Sequence, residues 1–486
     1  MLRQEQIALL PQPQMAAAEY RVPCFEQYFG KHRTLPIVEC ARPAGNPLPA
    51  RASELVRAGM CCVLEHARLW PAAEEKWGRA AYLRSELRDC PCAVLSSPAS
   101  SKRFSYWFDQ ASYGSDRVAA GYEAKPLVCS STMSIEQYLD AQKPMHLPRH
   151  SCLYLQQSIL QAPADGSAQQ GNLLPCTGLG EGIKRDLASG IDLSALKALA
   201  QAGGFGPWQR CQLFVGGSST IGARSILHFD QYDNLFVQIS GRKRFRIYDP
   251  QQTRCLYPYP IHHPLDTRAQ VDLEAAFEGG DEIQRFPKLR HARCSEVVLG
   301  PGQVLFLPAY WWHEVLTLEP EPMPLGNECR KVEGGADNLV VSVNFWFAAV
   351  TRLLTPTRPL VPSMQCELAR QLEYLISDSL ADRAHLVPTF LRALTAGMEA
   401  VRAHASEGVQ SVAAAASEAL QAHRPSEVQA DDWSGLFEFV LIKLSLLIGH
   451  RHVLSFCHDL LDPGRFAHLK LWGTKSLQGS RDVCDL

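Results

Sequence analysis

His228 and Asp230 flank Phe229 in one short run, and a second histidine, His313, stands far downstream in Pro308-Ala309-Tyr310-Trp311-Trp312-His313. Two neutral imidazoles and one carboxylate on three positions of a cation leave its opposite face open, the ligand set of non-haem Fe(II) oxygenases. Iron held this way keeps a net positive charge and adjacent free positions, enough for a bidentate 2-oxoacid and O2. Zinc more usually takes a closed tetrahedron, or one open position with water in it. On an extended segment residues i and i+2 share a face, so His228 and Asp230 can reach one ion while Phe229 points away. His313 must then arrive from another strand.

The elements needed to position these groups are short strands. Cys211–Val215, Ser295–Leu299, Val304–Pro308, Glu314–Leu318 and Leu339–Phe347 are apolar or alternating runs separated by glycine and proline turns such as Gly300-Pro301-Gly302, the pattern of a sandwich or barrel. Cys152, Tyr154 and Gln156 share one face of Ser151–Gln157, and a tyrosine there needs a partner for its hydroxyl. Ser240-Gly241 reads as a two-residue hairpin turn joining 234–239 to 242–247. That register puts Asn234, Phe236, Gln238, Lys243, Phe245 and Ile247 on one face and Arg242, Arg244 and Arg246 on the other. An enclosed Lys243 ammonium costs several kcal/mol unless an anion meets it. The anion is a ligand carboxylate or a protein Asp or Glu, unless the lysine ends an exposed strand. In Leu339–Phe347 the alternation sets Val340, Ser342, Asn344 and Trp346 opposite the apolar side, so Asn344 should have an assigned partner.

The remaining chain divides by texture. Residues 1–34 read as a flexible tail, and 35–150 as an α/β lead-in with helices over Ala52–Arg57 and Glu74–Leu87 and strands over Met60–Leu64 and Cys92–Leu95. Arg103–Phe108 is an aromatic-rich strand and 161–182 a loop. The core spans 151–350, interrupted at about 254–294 by a proline-rich excursion that reads as a surface crossover or substrate lip. His262 and His263 within it are adjacent, point to opposite faces and read as ordinary packing residues. Residues 351–486 are helical, with the apolar Leu436–Ile448 buried between helices or subunits.

With 486 residues the chain can bury a full core, and a formal charge of −2 gives no sign of a polyanion binder. No apolar run reaches membrane-spanning length, and the first 30 residues lack a signal-peptide pattern, so no membrane association is expected. The sixteen scattered cysteines fit reduced thiols in a cytoplasmic or nuclear protein.

Tyr154-Leu155-Gln156-Gln157, the His228-to-Lys243 block, Tyr257-Pro258-Tyr259-Pro260-Ile261-His262-His263-Pro264, Tyr310-Trp311-Trp312-His313 and Val343-Asn344-Phe345-Trp346 together resemble the JmjC family of Fe(II)- and 2-oxoglutarate-dependent oxygenases. The Tyr-Pro-Tyr-Pro-x-His-His-Pro run is similar to the asparaginyl-hydroxylase subgroup typified by factor inhibiting HIF. The resemblance implies a mainly β fold with flanking helices, a double-stranded β-helix (jelly-roll or cupin-like) core and a C-terminal helical region. It implies His228, Asp230 and His313 as iron ligands, and Lys243 as the partner of the distal carboxylate of 2-oxoglutarate, with Tyr154, Ser225, Asn234 and Asn344 as further cosubstrate contacts. Tyr106 matches a substrate-facing tyrosine. Where the subgroup binds the target amide through an Arg-Gln pair, this chain has Thr267-Arg268, which takes those hydrogen bonds from an asparagine unless a neighbour supplies them.

The expected function is hydroxylation of a protein side chain, coupled to decarboxylation of 2-oxoglutarate to succinate, with possible homodimer formation through the C-terminal helices. Two alternatives stay open. The His228–Asn234 run also resembles the JmjC hydroxylase of a wybutosine-type tRNA base, for which Arg242, Arg244 and Arg246 would meet phosphates. A noncatalytic β-helix scaffold would need neither iron nor 2-oxoglutarate.

Overall fold

A computed structural model describes residues 34–42, 46–105, 128–143, 151–161, 174–319, 339–349, 358–381 and 383–467. Runs rich in β-branched and aromatic residues form the strands β1 (Ile37–Glu39), β2 (Cys62–Glu65), β3 (Cys92–Pro98), β4 (Arg103–Phe104), β5 (Cys129–Met133), β6 (Ser151–Gln161), β7 (Leu174–Pro175), β8 (Trp208–Gly216), β9 (Arg224–His228), β10 (Tyr232–Ser240), β11 (Lys243–Tyr248), β12 (Ser295–Leu299), β13 (Val304–Leu307), β14 (Trp312–Thr317) and β15 (Val340–Ala348). Among the described residues they make two sheets. The major one runs β1-β2-β13-β10-β15-β8-β6-β3-β5 with β7 on β6, and the minor one runs β12-β11-β14-β9-β4. The two sheets close into a jelly-roll-like double-stranded β-helix, whose interior holds Phe236, Leu305 and Leu307 against Phe245, Ile247 and Leu299.

The hairpin expected at Ser240-Gly241 does not form. β10 pairs with β13 and β15, whereas β11 pairs with β12 and β14, so the chain crosses from one sheet to the other. Gly241 makes the crossing at φ +66°, and a Cβ there would lie 2.7 Å from Cγ2 of Val340. A glycine between two alternating runs looks the same in sequence whether the second run returns beside the first or faces it across the core. The inward set of Phe236, Lys243, Phe245 and Ile247 is nevertheless common to both geometries, because it follows from strand alternation alone.

The outer face of the major sheet, with Val341, Val343, Phe345 and Phe347, is covered by helices of the lead-in, among them Ala50–Arg57 and Pro71–Lys76, together with Leu193–Gly203 from the core region. The helix expected over 74–87 is broken at Gly78, where a Cβ would come within 3.0 Å of the Ser240 side chain. Glu181–Ser189, at the end of the expected loop, is helical, and its Asp186 carboxylate receives bonds from Lys76, Trp77 and Tyr82.

The excursion after β11 is not a surface crossover, although its Thr267 and Arg268 do line a cavity with Asp230. Leu256, Tyr257, Ile261, Asp266 and Arg268 are buried, packed under helices Pro362–Ser379, Val387–Ala403 and Ala430–Ile448. Its prolines do preclude a ladder, but the apolar residues between them are covered by a helical layer encoded much later in the chain. Arg465 reaches down to Glu373 at 2.6 Å, a buried ion pair between that layer's ends. Ala430–Ile448 buries Trp433, Phe437, Val440 and Leu444 and exposes Phe439, Ile442 and Leu446. No single helix among the described residues is long and apolar enough to cross a membrane.

Candidate active site

β9 and β14 are antiparallel neighbours, and their pairing sets His313 directly opposite His228. The imidazole centroids lie 4.1 Å apart. Asp230 follows in the turn after β9, where its carbonyl accepts from the Tyr310 N–H at 2.7 Å, and its carboxylate comes within 3.9 Å of His313 Nε2. One donor atom from each of the three lies within 4.8 Å of the others, the only such group among the described residues. Each imidazole is oriented by its own backbone. Nδ1 of His228 is 2.7 Å from the Ile226 carbonyl, and Nδ1 of His313 is 3.0 Å from that of Trp311. A carbonyl only accepts, so Nδ1 carries the hydrogen and Nε2 keeps the lone pair a metal needs. Burial lowers the pKa of both rings, that of His228 being further depressed by His313 and Arg268, so both stay neutral donors. This two-nitrogen, one-oxygen set on one side of a cavity fits Fe(II).

Deeper in the barrel, Lys243 is 2% exposed. Its Nζ donates to Tyr154 Oη at 2.9 Å and Ser342 Oγ at 2.6 Å, and it lies 5.2–5.4 Å from the ring centroids of Phe236, Phe214 and Tyr154. Among the described residues no carboxylate is in ion-pair range of it, and burial pushes its pKa down to about 7. Of the alternatives left by the sequence, the exposed strand end is therefore excluded. Asn234 and Asn344 are buried on the same inner face, and the side-chain oxygens of both have no partner among the described residues. Buried orphan acceptors in a polar cavity point to a missing ligand or water. Ser225, on β9 opposite Val315, lines a small cavity with His228, Gln156 and Arg268.

Arg268 sits beside the metal ligands through backbone pairing. Ala269 N–H donates to the Leu227 carbonyl and Phe229 N–H to the Thr267 carbonyl, so His228 and Arg268 are a non-hydrogen-bonded antiparallel pair, the closer kind, with side chains on one face. Tyr106 lies outside the described residues. His262 and His263 stack on Tyr374 and Tyr259 and do not join the metal cluster. The arginine row faces away from the barrel interior. Arg246 pairs with Glu296 at 3.2 Å and Glu314 at 3.1 Å, so its charge is already met.

Several contacts were not foreseen. Ser342 lies on the polar face of its strand, and nothing near it in the chain marks it as the acceptor for Lys243. From the C-terminal layer, Glu367 accepts from Gln231 at 3.1 Å and from the Tyr310 hydroxyl at 3.1 Å, and Arg370 grips Asp266 at 2.5 and 3.1 Å. One helix thus ties together the segments carrying Asp230, His313 and Arg268. Nothing in a one-dimensional pattern marks a helix that docks on loops so distant in the chain.

A cupin-like domain profile matches residues 49–352. Over shorter stretches the chain is similar to HSPB1-associated protein 1 of Rattus norvegicus, 32% identical over 165 residues that cover 31% of this chain and 28% of the relative. It is also similar to lysine-specific demethylase 8 of Xenopus tropicalis, 39% identical over 98 residues, 20% of this chain and 21% of the relative. A third relative is lysine-specific demethylase JMJ31 of Arabidopsis thaliana, 29% identical over 127 residues, 26% and 19% of the two chains. The matched segment spans about a quarter of the length of the curated relatives.

Proposed function

We propose that the chain, which belongs to the cupin-like domain family, is a JmjC-type Fe(II)- and 2-oxoglutarate-dependent oxygenase that hydroxylates a protein side chain, as factor inhibiting HIF does. The observation that carries the reading is the pairing of an open three-donor metal face with a buried ammonium whose described partners are only hydroxyls and aromatic rings. An ammonium so placed is costly alone and is matched by the distal carboxylate of a dicarboxylate ligand.

His228, Asp230 and His313 would hold the metal; bound there with 2-oxoglutarate and O2, it supplies oxidative decarboxylation to succinate coupled to insertion of oxygen into a C–H bond. The chain's own part is positioning and exclusion of water. Lys243, Tyr154 and Ser342 receive the distal carboxylate. Ser225, Asn234 and Asn344 offer hydrogen bonds nearer the metal, and Phe214 and Phe236 wall the cosubstrate from solvent. His228→Ala and Asp230→Ala should abolish 2-oxoglutarate-dependent succinate formation; undiminished turnover in either rejects the assignment.

A protein substrate is favoured over a tRNA base because Arg246 of the row that would meet phosphates is in ion pairs. It is consistent with relatives whose names point to protein partners. Homodimer formation through the C-terminal helices belongs to the same reading, and sedimentation of the protein beside a Phe439→Ser, Ile442→Ser, Leu446→Ser variant tests it. A monomer in both removes that part.

A further inference from the structure

The three metal-ligand candidates are not held alike. His228 and His313 sit on β9 and β14, whose backbone pairing fixes them opposite one another. Asp230 lies between strands, in the run Phe229-Asp230-Gln231 that joins β9 to β10, and its side chain is 27% exposed against 5% for His313. Its place therefore depends on what holds that connection. Phe229 N–H donates to the Thr267 carbonyl at 3.0 Å, the Asp230 carbonyl accepts from the Tyr310 N–H at 2.7 Å, and Gln231 Nε2 donates to Glu367 Oε2 at 3.1 Å. Helix Pro362–Ser379 stands behind each of these bonds. The same Glu367 oxygen accepts from the Tyr310 hydroxyl at 3.1 Å and from Arg370, which in turn holds the Asp266 carboxylate; that carboxylate accepts from the Thr267 N–H at 2.7 Å. Tyr310 at φ +68° and Thr267 at φ +69° both occupy the left-handed region, which a residue other than glycine keeps only where its surroundings over-determine it. Cys366, on the same helix, lies 2.9 Å from Thr253 Oγ1, which accepts at 2.9 Å from the indole N–H of Trp312, the neighbour of His313.

We propose that this helix positions the metal centre, with Glu367 as its principal positioning residue. Docking of the C-terminal layer sets the Asp230 carboxylate beside the two imidazoles, so metal affinity depends on a helix that touches none of the three ligands. The inference rests on the oxygenase reading for its metal site. Groups that hold metal ligands in place through hydrogen bonds are typically worth about 10–100-fold in metal affinity, and Glu367, acting one bond further out through Gln231 and Tyr310, belongs at the lower end, about tenfold. Linkage makes the effect reciprocal: a docked helix that favours the metal is itself held more firmly once the metal is bound. A partner that drew the C-terminal layer off the barrel would lower the metal affinity of a site it never contacts.

The test uses the full-length protein with Mn(II) as the probe, so that no turnover is needed. Affinity is read from the electron paramagnetic resonance of the free ion, and docking from hydrogen exchange across Pro362–Ser379. Glu367→Ala should weaken Mn(II) binding about tenfold. Glu367→Gln, which keeps an acceptor for Gln231 and Tyr310, should weaken it less. Tyr310→Phe should weaken it severalfold, and its effect should not add to that of Glu367→Ala in the double variant, because both remove the same contact. Mn(II) should slow exchange of the helix in the native protein and not in Glu367→Ala. Ile376→Ala, fully buried on the same helix with an aliphatic side chain, should lower the thermal midpoint and leave Mn(II) affinity unchanged, which separates positioning from stability. If Glu367→Ala does not fold, Glu367→Gln and Tyr310→Phe carry the comparison. Native affinity in the Glu367 and Tyr310 variants, or an equal loss in Ile376→Ala, overturns the inference and leaves the metal site standing. A native protein that binds no Mn(II) overturns the oxygenase reading and the inference with it.

Discussion

Replacing Lys243 by methionine separates a buried ammonium that waits for a ligand from one that merely fills the core. The folded-state pKa is pushed by burial from 10.5 down to about 7. Below about pH 7 both folded and unfolded chains carry the proton, and the folded protein bears the full cost of the buried charge. Between about 7 and 10.5 the unfolded chain holds a proton that the folded one has released, so stability rises with pH, and above that window the cost is gone. At about 1.4 kcal/mol per pH unit the whole window is worth roughly 5 kcal/mol. Roughly 2–3 kcal/mol of it falls between about pH 6 and pH 9. Met keeps the apolar contacts but leaves Tyr154 and Ser342 without their donor, which offsets about 1–3 kcal/mol at any pH. The stability difference between Lys243→Met and the native protein should therefore shift against the variant by roughly 2–3 kcal/mol as pH rises from about 6 to 9, read from urea unfolding. At a 2-oxoglutarate concentration about a hundred times its dissociation constant, the native protein should gain about 2.7 kcal/mol and the variant nothing. A pH-independent difference, or equal stabilisation of both by 2-oxoglutarate, would refute the reasoning.

Other perturbations probe the frame around the site. Arg370→Met removes the guanidinium 2.5 Å from the fully buried Asp266 carboxylate and should cost about 3–5 kcal/mol of stability, read from urea unfolding; Glu367→Gln, which keeps the shape, should cost less while weakening Fe(II) binding, measured by titration. Phe345→Ala, in the core between the major sheet and the lead-in helices, should cost about 3–5 kcal/mol in urea unfolding. Gly241→Ala should lower stability by about 1–3 kcal/mol, since it combines a positive φ with a 2.7 Å approach to Val340, and an unchanged midpoint would contradict the sheet-to-sheet crossing.

What could be read in the sequence was whatever alternation and local spacing encode. The inner faces of 234–239, 243–247 and 339–347 follow from period two, and they bring Asn234, Lys243 and Asn344 inward whichever strands pair. Which strands pair is a long-range matter, so Ser240-Gly241 looked like a hairpin and proved to be a crossing. The burial of Tyr257, Ile261 and Asp266 depends on helices encoded about a hundred residues later, and their prolines suggested a surface segment instead. Ser342 was on the correct face but had no local sign of an ammonium above it. Arg268 was visible as a departure from a motif, and its place opposite His228 became clear only from the bridge that the excursion makes with β9.

The central claim is that three side chains and one ammonium form a single metal and 2-oxoacid site. Anaerobic addition of Fe(II) and then 2-oxoglutarate, followed by visible absorption, tests it most directly. The native protein should bind one Fe(II) and develop a metal-to-ligand charge-transfer band on adding 2-oxoglutarate, absent in His313→Ala and requiring far more cosubstrate in Lys243→Met. A native protein that binds no Fe(II), or a band unchanged in His313→Ala, would contradict the account.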